Sequence, residues 1–75
     1  MITTLNKLPL GTQAKILKIN CSSNIKRRFL DLGFIKNTYI TPILKSPSGD
    51  PVAFEIRGTT IAIREEETQL IDVAF

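Results

Sequence analysis

The chain contains no histidine and no tryptophan, and only one cysteine, Cys21, among its 75 residues. Without histidine there is no imidazole for acid-base catalysis, for a Ser-His dyad or for a histidine metal site. A solitary cysteine permits no internal disulfide, no closed thiolate zinc site and no Cys-His nucleophile; Cys21 reads as a small apolar filler in a protein of a reducing compartment. Aromatic residues are scarce as well, at 7 %, too few for the stacking platform of a single-strand nucleic-acid binder. Long apolar runs are missing. Lys7, Pro9 and Gly11 interrupt the first residues before a signal-peptide core can form, and no stretch reaches transmembrane length. No Gly-rich loop with a following lysine exists to cradle a nucleotide phosphate.

What remains is a short and fairly apolar chain, 43 % hydrophobic with a formal charge of +3. That size allows one domain over residues 1–75 with a modest core. From Gln13 to Ile19 the pattern is that of a strand, with a slip in alternation at the adjacent Ile16 and Leu17. Gly11 suits the turn before it. Between Ser22 and Gly33 the period changes to helical, with Ile25, Phe29 and Leu32 on one face, Ser22 or Ser23 as the cap, Gly33 as the stop, and Arg27 and Asp31 spaced for an ion pair. Tyr39 to Lys45 predicts a strand in which Pro42, lacking an N–H, requires an edge or a bulge.

Ser46 to Pro51, including Gly49, Asp50 and Pro51, is dense in turn formers. Val52, Phe54 and Ile56 alternate, as do Ile61 and Ile63 beyond Gly58-Thr59, which predicts a hairpin closed by a type II′ turn with Gly58 at its first central position. Glu65-Glu66-Glu67 reads as the solvated start of a helical turn, and Ile71, Val73 and Phe75 as a last strand. The fold class expected is mostly β: a five-stranded barrel with one α-helix between its first two strands and a short helical turn before its last, closure being the means of protecting short strand edges.

Two clusters could carry function. Lys26, Arg27 and Arg28, with Lys36 nearby, form a basic patch suited to steering a partner or contacting phosphates. Asp31, Asp50, Glu55, Glu65, Glu66, Glu67 and Asp72 are hard ligands that could hold a divalent cation.

The order of several short motifs resembles the ferrous iron transport protein A family. These are Leu8-Pro9-Leu10-Gly11, Arg27-Arg28-Phe29-Leu30-Asp31-Leu32-Gly33-Phe34, Pro47-Ser48-Gly49-Asp50-Pro51-Val52, Ile56-Arg57-Gly58, Ile61-Ala62-Ile63-Arg64 and Leu70-Ile71-Asp72-Val73. Each is weak alone; together they span nearly the whole chain. Asn37 departs from the family's usual glycine, but asparagine tolerates the left-handed backbone best after glycine. Thr68 stands where the family often has alanine.

The resemblance implies an SH3-like barrel and a non-catalytic, cytoplasmic accessory of bacterial Fe(II) uptake, peripheral to the membrane through its partner, the GTPase-permease that imports the ion. Neither a cofactor nor nucleic acid is expected. Lys26, Arg27, Arg28 and Asp31 are the expected partner contacts, Phe29 and Leu32 the packing residues, and Gly11, Gly33, Gly49 and Gly58 the turns. Iron-dependent repressors carry the same barrel as a C-terminal domain, and a free-standing chain starting at Met1 favours the transport protein. A small nucleic-acid binder and a carboxylate Fe(II) carrier are the other readings. A weak homo-oligomer is a further expectation, and the strand edge at Pro42 is a candidate for pairing with another chain.

Overall fold

The computed structural model describes residues 1–75. Its strands are β1 (Ile2–Thr4), β2 (Ala14–Ile19), β3 (Tyr39–Lys45), β4 (Val52–Ile56), β5 (Thr59–Ile63) and β6 (Ile71–Ala74); α1 spans Ser23–Asp31, α2 spans Glu65–Thr68, and a 3-10 turn covers Leu5–Lys7. All strands join one antiparallel sheet in the order β1-β6-β2-β3-β4-β5. The class is the one expected, with one strand more. β1 was hidden because Ile2-Thr3-Thr4 is too short to show a period; it pairs with β6, tying Thr3 to Val73.

Thirteen apolar residues form the core, among them Leu5, Ile16, Ile40, Phe54, Ile56, Ile71 and Val73. Two irregularities make this core possible. Ile16 and Ile19 are both buried although their odd spacing would place them on opposite faces of a regular strand. The register with β6 shifts between Ile16 and Lys18, so a bulge at Leu17 turns both isoleucines inward. β3 shifts between Pro42 and Leu44. There Pro42 is buried, and it supplies only its carbonyl on the β2 side, to the Gly11 N–H at 2.7 Å. β3 is accordingly paired with β2 only through Tyr39 and Ile40.

Four local expectations are corrected. Leu32 is not a packing residue: 42 % of it is exposed. The helix ends at Asp31, and Gly33 at φ +96° reverses the chain. The Gly33 N–H then bonds the Leu30 carbonyl at 3.0 Å and the Phe34 N–H the Phe29 carbonyl at 2.9 Å, the paired bonds of a Schellman stop. The reversal swings Phe34, fully buried, against Phe29 with ring centroids 5.1 Å apart, so Phe34 takes the place that helical periodicity assigned to Leu32.

The β4–β5 hairpin closes through Arg57-Gly58, because Ile56 pairs with Thr59. Both loop residues have positive φ, +52° and +80°, so the turn is type I′ and not II′. Ser22 occupies the α1 cap position, but its side chain makes no hydrogen bond to the helix. Arg27 and Asp31 form no ion pair; Arg28 bonds Glu67 instead. Asn37 adopts φ +74° as expected.

Candidate docking surface around helix α1

Helix α1 lies between two grooves, and its sequence divides its side chains between them. Lys26 and Leu30, one turn apart, face a groove of about 300 Å³ shared with Ile16, Leu17, Lys18 and Ile19 of β2 and with Phe34, Ile35 and Lys36 beyond the helix. Lys18, Lys26 and Lys36 are exposed at this groove, while Leu30 and Ile35 leave 44 % and 45 % of their surfaces in water. No ion pair engages any of the three lysines. An apolar floor with a cationic rim free of ion pairs suits an acidic, partly apolar segment of another molecule.

Arg28 and Leu32 face the second groove, which runs along Ile61, Ala62, Ile63 and Arg64 to Glu66 and Glu67. Arg28 is committed within the molecule. Its guanidinium bonds the Glu67 carboxylate and lies 5.4 Å over the Phe29 ring. The basic triplet is therefore split: Lys26 rims one groove, Arg27 is exposed with no ion pair, and Arg28 clasps α1 to α2. Asp31 is exposed one turn beyond Arg27.

The carboxylates do not converge on a point; no three Asp, Glu or Cys side chains come together. Several have other uses. Asp50 accepts the Glu65 N–H at 2.9 Å through one oxygen and lies 3.8 Å from Arg64 through the other, so it caps α2 from a distant loop. Asp72 accepts from the Asn20 side chain at 3.0 Å. Thr68 is buried, its hydroxyl donating to the Glu65 carbonyl at 3.2 Å, so threonine completes the helical turn. Sequence periodicity could not reveal the Asp50 cap, which joins positions far apart in the chain. Gly49 closes the Ser46 turn by donating to its carbonyl at 2.8 Å, and Pro51 follows it into β4.

A further cavity of about 210 Å³ lies between the 3-10 turn, the Gly49 loop and α2. Its volume falls below the several hundred Å³ usual for a metabolite site.

A single curled antiparallel sheet with one helix laid beside it defines a small SH3-like fold. The chain belongs to the FeoA family: the FeoA domain model matches residues 3–74. A Campylobacter jejuni protein assigned as Fe(2+) transport protein A is 33 % identical over 70 residues, covering 93 % of this chain and 95 % of that protein. A Porphyromonas gingivalis fusion of Fe(2+) transport protein A with the Fe(2+) transporter FeoB is 30 % identical over 69 residues, or 92 % of this chain; the match spans 8 % of the fusion.

The Stenotrophomonas maltophilia FeoA crystal structure, described as a prokaryotic SH3 domain protein in complex with zinc, superposes with a TM-score of 0.83 at 32 % identity, over 95 % of this chain and 88 % of that one. A manganese-dependent transcriptional repressor shares the fold at 15 % identity, with a TM-score of 0.86 over 97 % of this chain and 41 % of the repressor. The family assignment places the protein in ferrous iron transport. No helix is long and apolar enough to cross a membrane.

Proposed function

We propose that the protein is a non-catalytic cytoplasmic accessory of the ferrous iron transporter FeoB, which it binds through the lysine-rimmed groove beside α1. The observation that carries this reading is the groove itself, where Lys18, Lys26 and Lys36 surround exposed Leu30 and Ile35 and none of the three is held in an internal ion pair. The fusion relative, in which a similar segment and FeoB share one chain, supports FeoB as the partner. Iron is then the partner's cargo. Lys26 and Arg27 meet the partner's acidic groups, with Asp31 placed to reject a wrong register. Arg28, on the opposite flank, positions α1 through Glu67.

Charges at a groove rim mainly accelerate encounter and fix orientation, while the apolar floor slows dissociation. The test is binding of the protein to purified FeoB, with Fe(II) uptake measured in cells lacking the native copy. A triple charge reversal of Lys18, Lys26 and Lys36 to glutamate should abolish both, while reversal of Lys7, which lies outside the groove, should leave both intact. Binding and uptake that survive the triple reversal would refute the assignment.

A further inference from the structure

β5 lies at the end of the sheet and pairs only with β4. The two-residue Arg57-Gly58 loop makes Ile56 and Thr59 a hydrogen-bonded pair. Alternation then gives bonded pairs at Phe54 with Ile61 and Val52 with Ile63, and leaves Thr60 and Ala62 with their N–H and C=O groups directed away from β4. No backbone hydrogen bond outside the β4–β5 pairing involves residues 57–63. Thr60 and Ala62 are also exposed.

Exposed edges are commonly blunted by proline, a bulge, charge or shortness. The opposite edge, β1, has only three residues, and the unpaired side of β3 carries Pro42 and a bulge. Thr59-Thr60-Ile61-Ala62-Ile63 has no such device: it contains no charge, no proline and no bulge.

We infer that β5 is a self-pairing edge, at which two copies of this chain join antiparallel about Ile61 into a closed two-fold dimer. The occupant follows from the geometry. With Ile61 opposite Ile61 of the second copy, Thr60 of each copy faces Ala62 of the other. Both N–H and C=O groups of each residue then find partners, and four hydrogen bonds form. Shifting the centre to Thr60 sets Ala62 against Gly58 in the turn, and shifting it to Ala62 sets Thr60 against Arg64, whose carbonyl already accepts from the Glu67 and Thr68 N–H groups. The same register brings Arg57 of one copy towards Glu65 of the other, so opposite charges meet at both ends of the seam.

On the inner side, the half-buried Ile61 pair is a close non-hydrogen-bonded contact. It lies in the groove where Leu32 is 42 % exposed, so pairing covers apolar surface that the monomer leaves in water. A five-residue seam is small, at the low end of specific interfaces, and implies a dissociation constant on the order of 10–100 µM. The inference stands apart from FeoB binding, which uses the other flank of α1.

The test combines sedimentation with amide exchange on the full chain between about 10 µM and 1 mM, a range chosen to bracket that constant. The average mass should rise from monomer towards dimer, and the Thr60 and Ala62 amides should slow in exchange as concentration increases. Ala62→Pro removes one outward N–H from each copy and should weaken association at least about ten-fold. A mass that stays monomeric throughout would overturn the inference. So would concentration-dependent protection at Ile2 and Thr4 of β1 in place of β5, or a folded Ala62→Pro protein that associates as before. Because the exchange measurement uses the unaltered chain, the test holds even if the variant misfolds.

Discussion

Replacing Gly33 by alanine should cost about 1–2 kcal/mol of stability, the usual penalty for forcing a β-carbon into the left-handed backbone region. The residue sits at φ +96°, and a Cβ there would approach the Arg57 Cδ to 3.3 Å. That contact adds little, because Arg57 is exposed and its side chain can swing aside. The backbone term should dominate. Urea unfolding reads it directly: with a slope near 1 kcal/mol per molar for so small a domain, the midpoint should fall by about 1–2 M.

A second variant separates the two contributions. Arg57→Ala removes the steric neighbour, so a double mutant in which the Gly33 effect persists unchanged assigns the loss to the backbone. If Gly33→Ala shifted the midpoint by less than about 0.3 M, the Schellman stop and the placement of Phe34 that follows from it would be wrong.

Three further outcomes follow from the packing and the caps. Phe34→Ala should cost about 3–5 kcal/mol and leave little folded protein, whereas Leu32→Ser, at the position favoured by helical periodicity, should change stability by less than about 0.5 kcal/mol; thermal melts of both decide between these positions. Arg57→Asn should stabilise the hairpin by about 0.5–1 kcal/mol, since asparagine accepts the positive φ of a type I′ turn more readily than arginine; a lower melting temperature would contradict the turn assignment. Asp50→Ala should cost about 1 kcal/mol through loss of the α2 cap, and the Glu65 amide should exchange faster in that variant; unchanged exchange at Glu65 would remove the cap.

The fold was legible wherever local pattern and tertiary structure agree. β3 begins and ends at Tyr39 and Lys45 as its apolar run indicates, Pro42 marked a bulge, and the slip at Ile16-Leu17 became the bulge that buries Ile19. The pattern misled where a tertiary effect intervened. Leu32 obeys the helical period, yet the helix stops one residue earlier and the reversal at Gly33 hands its place to Phe34. Gly58 drew the turn one residue too late because Arg57 at positive φ is uncommon.

The candidate site was half visible. Lys26 and Lys36 were singled out as basic, but Lys18 lies on β2 and joins them only when the strand passes beneath α1. Arg28 was grouped with its neighbours by sequence although the helix turns it the other way, towards Glu67. Asp50 read as a turn residue because nothing local connects it with the amide of Glu65.

Titrating purified FeoB with the unaltered protein and with the Lys18, Lys26 and Lys36 charge-reversed form in a calorimeter, at low and moderate salt, tests the account most directly. Saturable binding that weakens as salt rises, and that disappears in the reversed but folded variant, is the predicted result. Equal affinity for the two forms, or no binding by the unaltered protein, would contradict it.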